Sequence, residues 1–147
     1  MIQCIQDCDP QLIPPQKDQV KKITQKVLID YKVQDGNISF IFASDELLAS
    51  LKKEFFHQDH WTDVIAFRLN DYNEIHIEGE IYISLPRAKE NSKKFGEPFE
   101  KEIARLIIHG SLHLLGFEDE TVQQKETIHK LEEKYLDLVD WKLLFGD

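Results

Sequence analysis

The chain has 147 residues, enough for one domain with a sizeable core, and its 41% apolar and 31% charged residues suit a water-soluble globular protein. A formal charge of −9, from 18 Lys+Arg against 27 Asp+Glu, weighs against a tight general nucleic-acid binder. It leaves room for a local basic patch, or for an enzyme that meets RNA through a metal. No apolar run approaches the roughly 20 residues that span a bilayer, and "MIQCIQDCDP" lacks the basic and apolar regions of a signal peptide. These features imply a cytoplasmic protein, with residues 1–147 forming a single domain.

Near the N-terminus, Cys4 and Cys8 read as reduced thiols, and no second Cys/His pair with zinc-finger spacing follows. Over 17–32, Val20, Ile23, Val27, Leu28 and Tyr31 recur at helical spacing behind Pro14 and Pro15. "DGN" at 35–37 is a turn signal, and "ISFIFA" at 38–43 is a buried strand. Ser44 caps a helix reaching about Phe56, with Asp45 and Glu46 in its first turn. Residues 57–63, "HQDHWTD", read as a polar loop, and "VIAFRL" at 64–69 as a strand.

After a turn at 70–73, "EIHI" and "EIYIS" alternate as short strands on either side of Glu78 and Gly79, with Gly79 expected at a bend or bulge. Ser84 caps the helix "LPRAKENSKKF", which Gly96 ends. From Glu97 to Leu115 the pattern is helical, with Phe99, Ile103, Ala104, Leu106 and Ile107 on a core face and Gly116 as the stop. A last helix spans about 121–138, through Val122, Ile128, Leu131, Tyr135 and Leu138. The order predicts an α+β domain, a mixed sheet of about four strands packed with about five helices.

Chemistry concentrates in "HGSLHLLGFEDE", 109–120. Positions i and i+4 share a helix face, so His109 and His113 can turn both imidazoles toward one ion. Gly116 lets the chain turn back, and a residue near 119 can close a third side. Two nitrogens from a rigid helix suit Zn²⁺. The bland alternative is a packed, hydrogen-bonded histidine pair. Gly110 stands where a zinc peptidase of the HExxH type carries its catalytic glutamate. Ser111 reads as a packing residue.

"HGSLHLLGFED" resembles the signature of the YbeY family, HGxLHLxGYDH. "TDVIAF" at 62–67 and "GEIYIS" at 79–84 are similar to two strand motifs of the same family, in the same order, so the likeness covers roughly residues 37–135. The resemblance implies a single zincin-like, metal-dependent hydrolase domain: a zinc-dependent endoribonuclease of rRNA maturation and ribosome quality control, acting on single-strand-type RNA. One Zn²⁺ would be held by His109, His113 and, where the family has its third histidine, Asp119. Glu118 or Glu120 can substitute for that shorter arm. A metal with three protein ligands and an open position acidifies its water or polarises a phosphoryl oxygen.

The family's arginine before the first strand motif falls on Phe56, which cannot clamp a phosphate; Arg68 is a possible substitute or else a surface or salt-bridged residue. Asp63, Glu80 and Glu118 are the carboxylates near the motifs that can serve as a general base, or simply as hydrogen-bonding groups. RNA, as rRNA or a ribosomal particle, is the implied partner; DNA and membrane are not. Arg87, Lys89, Lys93, Lys94, Lys101 and Arg105 form the densest basic stretch, a guide for RNA or a solvated helix surface. His57, His60, His76 and His129 lack ligand spacing and read as surface or core residues. Trp61 can stack on a base or be buried. Two other readings stand beside the enzyme: a non-catalytic, metal-stabilised, ribosome-associated module, and a zinc peptidase, which Gly110 opposes.

Overall fold

The computed structural model describes residues 1–57 and 62–146. His60 and Trp61, together with the middle of the loop read at 57–63, lie outside the described residues. Elements follow in the order β1 (Ile2–Cys8), α1 (Lys17–Ile29), β2 (Gly36–Ala43), α2 (Asp45–Phe56), β3 (Val64–Arg68), β4 (Ile77–Ser84), α3 (Leu85–Phe95), α4 (Phe99–Leu114) and α5 (Val122–Leu136). A short 3-10 turn, Trp141–Leu143, follows α5. The sheet order is β1-β2-β4-β3, with β1, β2 and β4 parallel and β3 antiparallel to β4. This is the expected α+β, mixed four-stranded architecture with five α-helices.

Alternation along each strand sorts side chains onto two faces. Ile38, Phe40 and Phe42 of β2, and Ile77, Ile81 and Ile83 of β4, enter the main core with Ile103, Ile107 and Leu114 of α4. On the opposite face, Ile65 and Leu48 are buried in a smaller cluster under α2, with Ile41, Phe67 and Tyr82 packed against it. Local signals hold where they concern caps. Ser44 Oγ accepts from the Leu47 amide at 3.4 Å, and Ser84 Oγ from the Arg87 amide at 3.1 Å. Gly96 ends α3 in the left-handed region, at φ +65°.

Two strand expectations fail. "EIHI" is not a strand: pairing starts only at Ile77, and the preceding segment loops between β3 and β4. Gly79 sits inside the continuous β4 rather than at a bend. A Cβ there would stand 2.7 Å from Leu114 Cδ2 and 3.1 Å from the Phe67 carbonyl oxygen, so glycine suits the close approach of α4 and β3. The strand that replaces "EIHI" in the count is β1, in a segment the hydrophobic pattern did not mark. It is an edge strand whose alternation is blurred, with Ile2 and Cys4 buried while Ile5 is 59% exposed. Cys4 and Cys8 are both free; four residues apart on one strand, at about 3.3 Å per residue, they lie too far apart to bridge.

Candidate metal centre

Helix α4 carries the two histidines because its apolar stripe runs along the sheet. Ile103, Ile107, Leu112 and Leu114 are buried, which leaves the 109/113 face at the end of the core, half-buried. Gly110 makes that seating possible: a Cβ at 110 would meet Ile81 Cγ2 at 2.7 Å. The helix ends at Leu114, Gly116 turns the chain at φ +105°, and the Phe117 amide bonds back to the Leu112 carbonyl at 3.1 Å. The chain then runs to Asp119 just before α5. Thr121 and Gln124 close a capping box there, and the Gln124 side-chain oxygen accepts from the Glu120 and Thr121 amides at 3.0 Å each.

This turn brings three ligand atoms together. Nε2 of His113 lies 3.0 Å from Nε2 of His109, and Oδ2 of Asp119 lies 3.3 Å and 3.5 Å from the His109 and His113 nitrogens respectively. Among the described residues this is the one group of three His, Cys, Asp or Glu side chains that converges closely enough to hold an ion. Glu118 and Glu120, the other carboxylates weighed as third ligand, lie outside that group. Behind the ligands, Nδ1 of His109 meets Oε2 of Glu132 at 2.6 Å.

The electrostatics centre on one positive charge. Burial opposes protonation of His109, but hydrogen bonds to Asp119 and Glu132 outweigh it and raise its pKa to about 9. The bond from His109 holds Asp119 down at about 2, against the pull of burial. Burial, and then the charge on His109, lower His113. His109, His113 and Asp119 could hold a divalent cation, whose binding would compete with the proton on His109. Two imidazoles and a carboxylate are donors that Zn²⁺ accepts, so the residues present fit the ion.

The group opens onto a cleft of about 920 Å³, whose walls include Phe56, Asp63, Tyr72 and Phe117. Asp63 precedes β3, and its Oδ2 accepts from Asn91 Nδ2 at 3.0 Å. Burial raises its pKa, with the His109 charge pulling the other way. Glu118 also lines the cleft.

The two remaining expected participants are placed elsewhere. Glu80 alternates with Gly79 and Ile81, the residues that touch α4, so it projects from the opposite face, where Tyr82 donates to it at 3.4 Å. Arg68 is committed to the backbone. Its Nε donates to Asn70 Oδ1, its Nη1 to the Leu114 carbonyl at 2.7 Å, and its Nη2 to the carbonyls of Asp71, Glu74 and His76. It therefore folds the β3–β4 loop against the end of α4 and does not replace the arginine whose position Phe56 occupies. Phe56 stacks on Phe67, with Lys52 Nζ 4.8 Å from its ring centroid.

Three members of the basic stretch are ion-paired. Arg87 pairs with Asp45 at 3.1 Å, Lys101 with Glu97 at 3.3 Å, and Arg105 with Glu133 at 2.8 Å. Among the described residues, the lysines on the cleft wall are Lys52 and Lys125. Neither drew notice in the sequence, because neither belongs to the dense basic stretch. His57, His76 and His129 are exposed and stand outside the ligand group.

On the same helix as the histidines lies a buried acid. Burial and the charge of Asp63 raise Glu102 from 4.5 to about 7, although Arg105 Nε at 3.4 Å opposes the shift. The folded chain therefore holds a proton that the unfolded chain releases, and stability falls as pH rises from about 4.5 to about 7. Glu102→Gln is expected to gain on the order of 1–2 kcal/mol at pH 8 and nothing at pH 4, since a tenfold change in proton affinity is worth about 1.4 kcal/mol. Urea denaturation at both pH values reads this directly; an equal effect at both would show that Glu102 does not titrate in this range.

The model of the family described as Endoribonuclease YbeY matches residues 6–140. The chain is 37% identical over 120 residues to Endoribonuclease YbeY of Chloroherpeton thalassium, covering 82% of this chain and 84% of that protein. It is 40% identical over 103 residues to the protein of the same name from Christiangramia forsetii, covering 70% and 71% of the two. The solution structure of TM1509 from Thermotoga maritima superposes with a TM-score of 0.61 at 25% identity, covering 93% of this chain and 87% of the other.

Proposed function

The chain belongs to the Endoribonuclease YbeY family, and on that premise we propose that it is a metal-dependent endoribonuclease acting on single-stranded segments of ribosomal RNA in the cytoplasm, in rRNA maturation and ribosome quality control. The observation that carries this reading is the convergence of His109, His113 and Asp119 at an open cleft. These three residues would hold one Zn²⁺. When bound, such an ion supplies Lewis-acid polarisation of a phosphoryl oxygen and a more acidic water.

The chain's own groups divide the remaining work. His109 and His113 present Nε2 atoms from consecutive turns of one rigid helix, and Asp119 adds an anionic oxygen that reduces the local charge. Asp63 is a buried carboxylate on the cleft wall outside the ligand group, and burial raises its pKa, which makes it a stronger proton acceptor. We assign it the proton-accepting role. Lys52 and Lys125 meet the phosphate backbone, so RNA affinity falls as salt rises. Phe56 offers no positive charge to the reacting phosphate, which leaves more of the charge stabilisation to the ion and these two lysines.

Gly110 argues against a zinc peptidase: the HExxH glutamate has no room there beside Ile81. Phe56 is the one feature that favours a non-catalytic ribosome-associated module. RNA cleavage by purified protein separates the readings. Cleavage is expected to stop on chelation and to return when Zn²⁺ is restored. Ribosome co-sedimentation without cleavage would support the module, and chelator-sensitive digestion of a peptide would revive the peptidase.

A further inference from the structure

We propose that Glu132 is a positioning residue for the metal centre, fixing the ring and tautomer of His109 so that α5 sets the affinity for the divalent ion. This rests on the metal-site reading above.

Glu132 comes from a different helix than the histidines and lies 13 residues beyond Asp119. Its side chain is buried, at 8% exposure, yet its two oxygens have different partners. Oε2 sits 2.6 Å from His109 Nδ1, and Oε1 is 3.5 Å from Arg105 Nη1. A buried carboxylate without partners is strongly disfavoured, so both contacts are needed to keep it there.

An imidazole has two nitrogens, and the partner of one decides what the other can do. A carboxylate at Nδ1 keeps a proton on that atom, so the proton given up to a cation would be the one on Nε2, the nitrogen that faces His113 and Asp119. A ring free to flip would present the wrong nitrogen part of the time. The negative charge also makes the ring a stronger donor.

Arg105 holds Glu132 in turn, and is itself held by Glu133 at 2.8 Å and Glu102 at 3.4 Å. The same helix begins at the capping box that rigidifies the segment beside Asp119. One docked element thus positions a ligand at its start and the support of another ligand about three turns on. Since Arg105 keeps two carboxylate partners when Glu132 is lost, the core can remain folded in the variants.

The test measures Zn²⁺ affinity by titrating metal-free full-length protein in competition with a chromophoric chelator, and records long-range ¹H–¹⁵N spectra of the His109 ring in the Zn²⁺-loaded proteins. Glu132→Ala is expected to bind about 10- to 100-fold more weakly, with mixed His109 tautomers. Glu132→Gln keeps an oxygen acceptor without the charge. It should retain the Nδ1–H tautomer and bind only a few-fold more weakly, a partial rescue that a purely packing role would not produce. A folded Glu132→Ala protein with wild-type affinity and one tautomer would overturn the inference alone. Should alanine prevent folding, the glutamine variant decides: affinity and ring signals indistinguishable from wild type overturn it. Absence of saturable Zn²⁺ binding in the wild type would remove the metal-site reading, and this inference with it.

Discussion

His113→Ala is expected to lower RNA cleavage by about a thousandfold or more. The alanine leaves His109 and Asp119 as the near ligands, and two donors hold an ion far less well than three. Loss of the ion removes several kcal/mol of charge stabilisation, and each step of about 1.4 kcal/mol is a factor of ten in rate. The fold should survive, because the His113 side chain is 27% exposed and lies at the rim of the core rather than within it. Parallel preparations of both proteins, matched by circular dichroism and assayed on the same RNA at fixed salt, give the measurement. Cleavage by the variant at the wild-type rate would point to a contaminating nuclease and end the assignment of this centre to the reaction.

The second large effect concerns a residue on the same turn of helix. Gly110→Glu, the change that would write a peptidase-like HExxH into the helix, is expected to destabilise the fold by about 4–8 kcal/mol. The new Cβ would lie 2.7 Å from Ile81 Cγ2, 3.1 Å from Cδ1 and 3.3 Å from Cγ1. Cγ2 branches directly from the Ile81 Cβ and cannot swing aside alone, so helix and strand must separate. Overpacking of this kind costs about 1–3 kcal/mol for added methylenes. The carboxylate adds an unpaired buried charge, against a total stability of about 5–15 kcal/mol for a domain.

Gly110→Ala isolates the steric part. Alanine's helix propensity returns about 1 kcal/mol, so the net loss should be about 0–2 kcal/mol by chemical denaturation once the overpacking is set against it. A soluble Gly110→Glu protein with wild-type stability would mean that α4 does not press on β4 at this point.

The candidate metal centre is held by its surroundings on three sides. The sheet presses from beneath through Ile81, α5 from behind through Glu132, and the β3–β4 loop is tied to the end of α4 through Arg68. The face toward the cleft is the open one. An overall charge of −9 makes that opening poorly attractive to RNA except where Lys52, Lys125 and a bound cation offset it.

What the sequence determined by itself was local. The helix over α4, the pairing of His109 with His113 on one face, the glycine turn at 116 and the serine caps at 44 and 84 all follow from the 3.6-residue repeat and from backbone geometry within a few positions. The tertiary structure decided everything that depends on partners distant in sequence. Asp119, not Glu118 or Glu120, meets the histidines because of how the chain leaves Gly116 and enters the α5 cap. Glu80 belongs to the far face because strand register sends alternate residues to opposite sides. Arg68 is spent on carbonyls up to 46 positions away, and Glu132 reaches His109 across 23. No periodicity encodes such meetings, since they arise only when packed helices and strands bring separate stretches of chain within hydrogen-bonding distance.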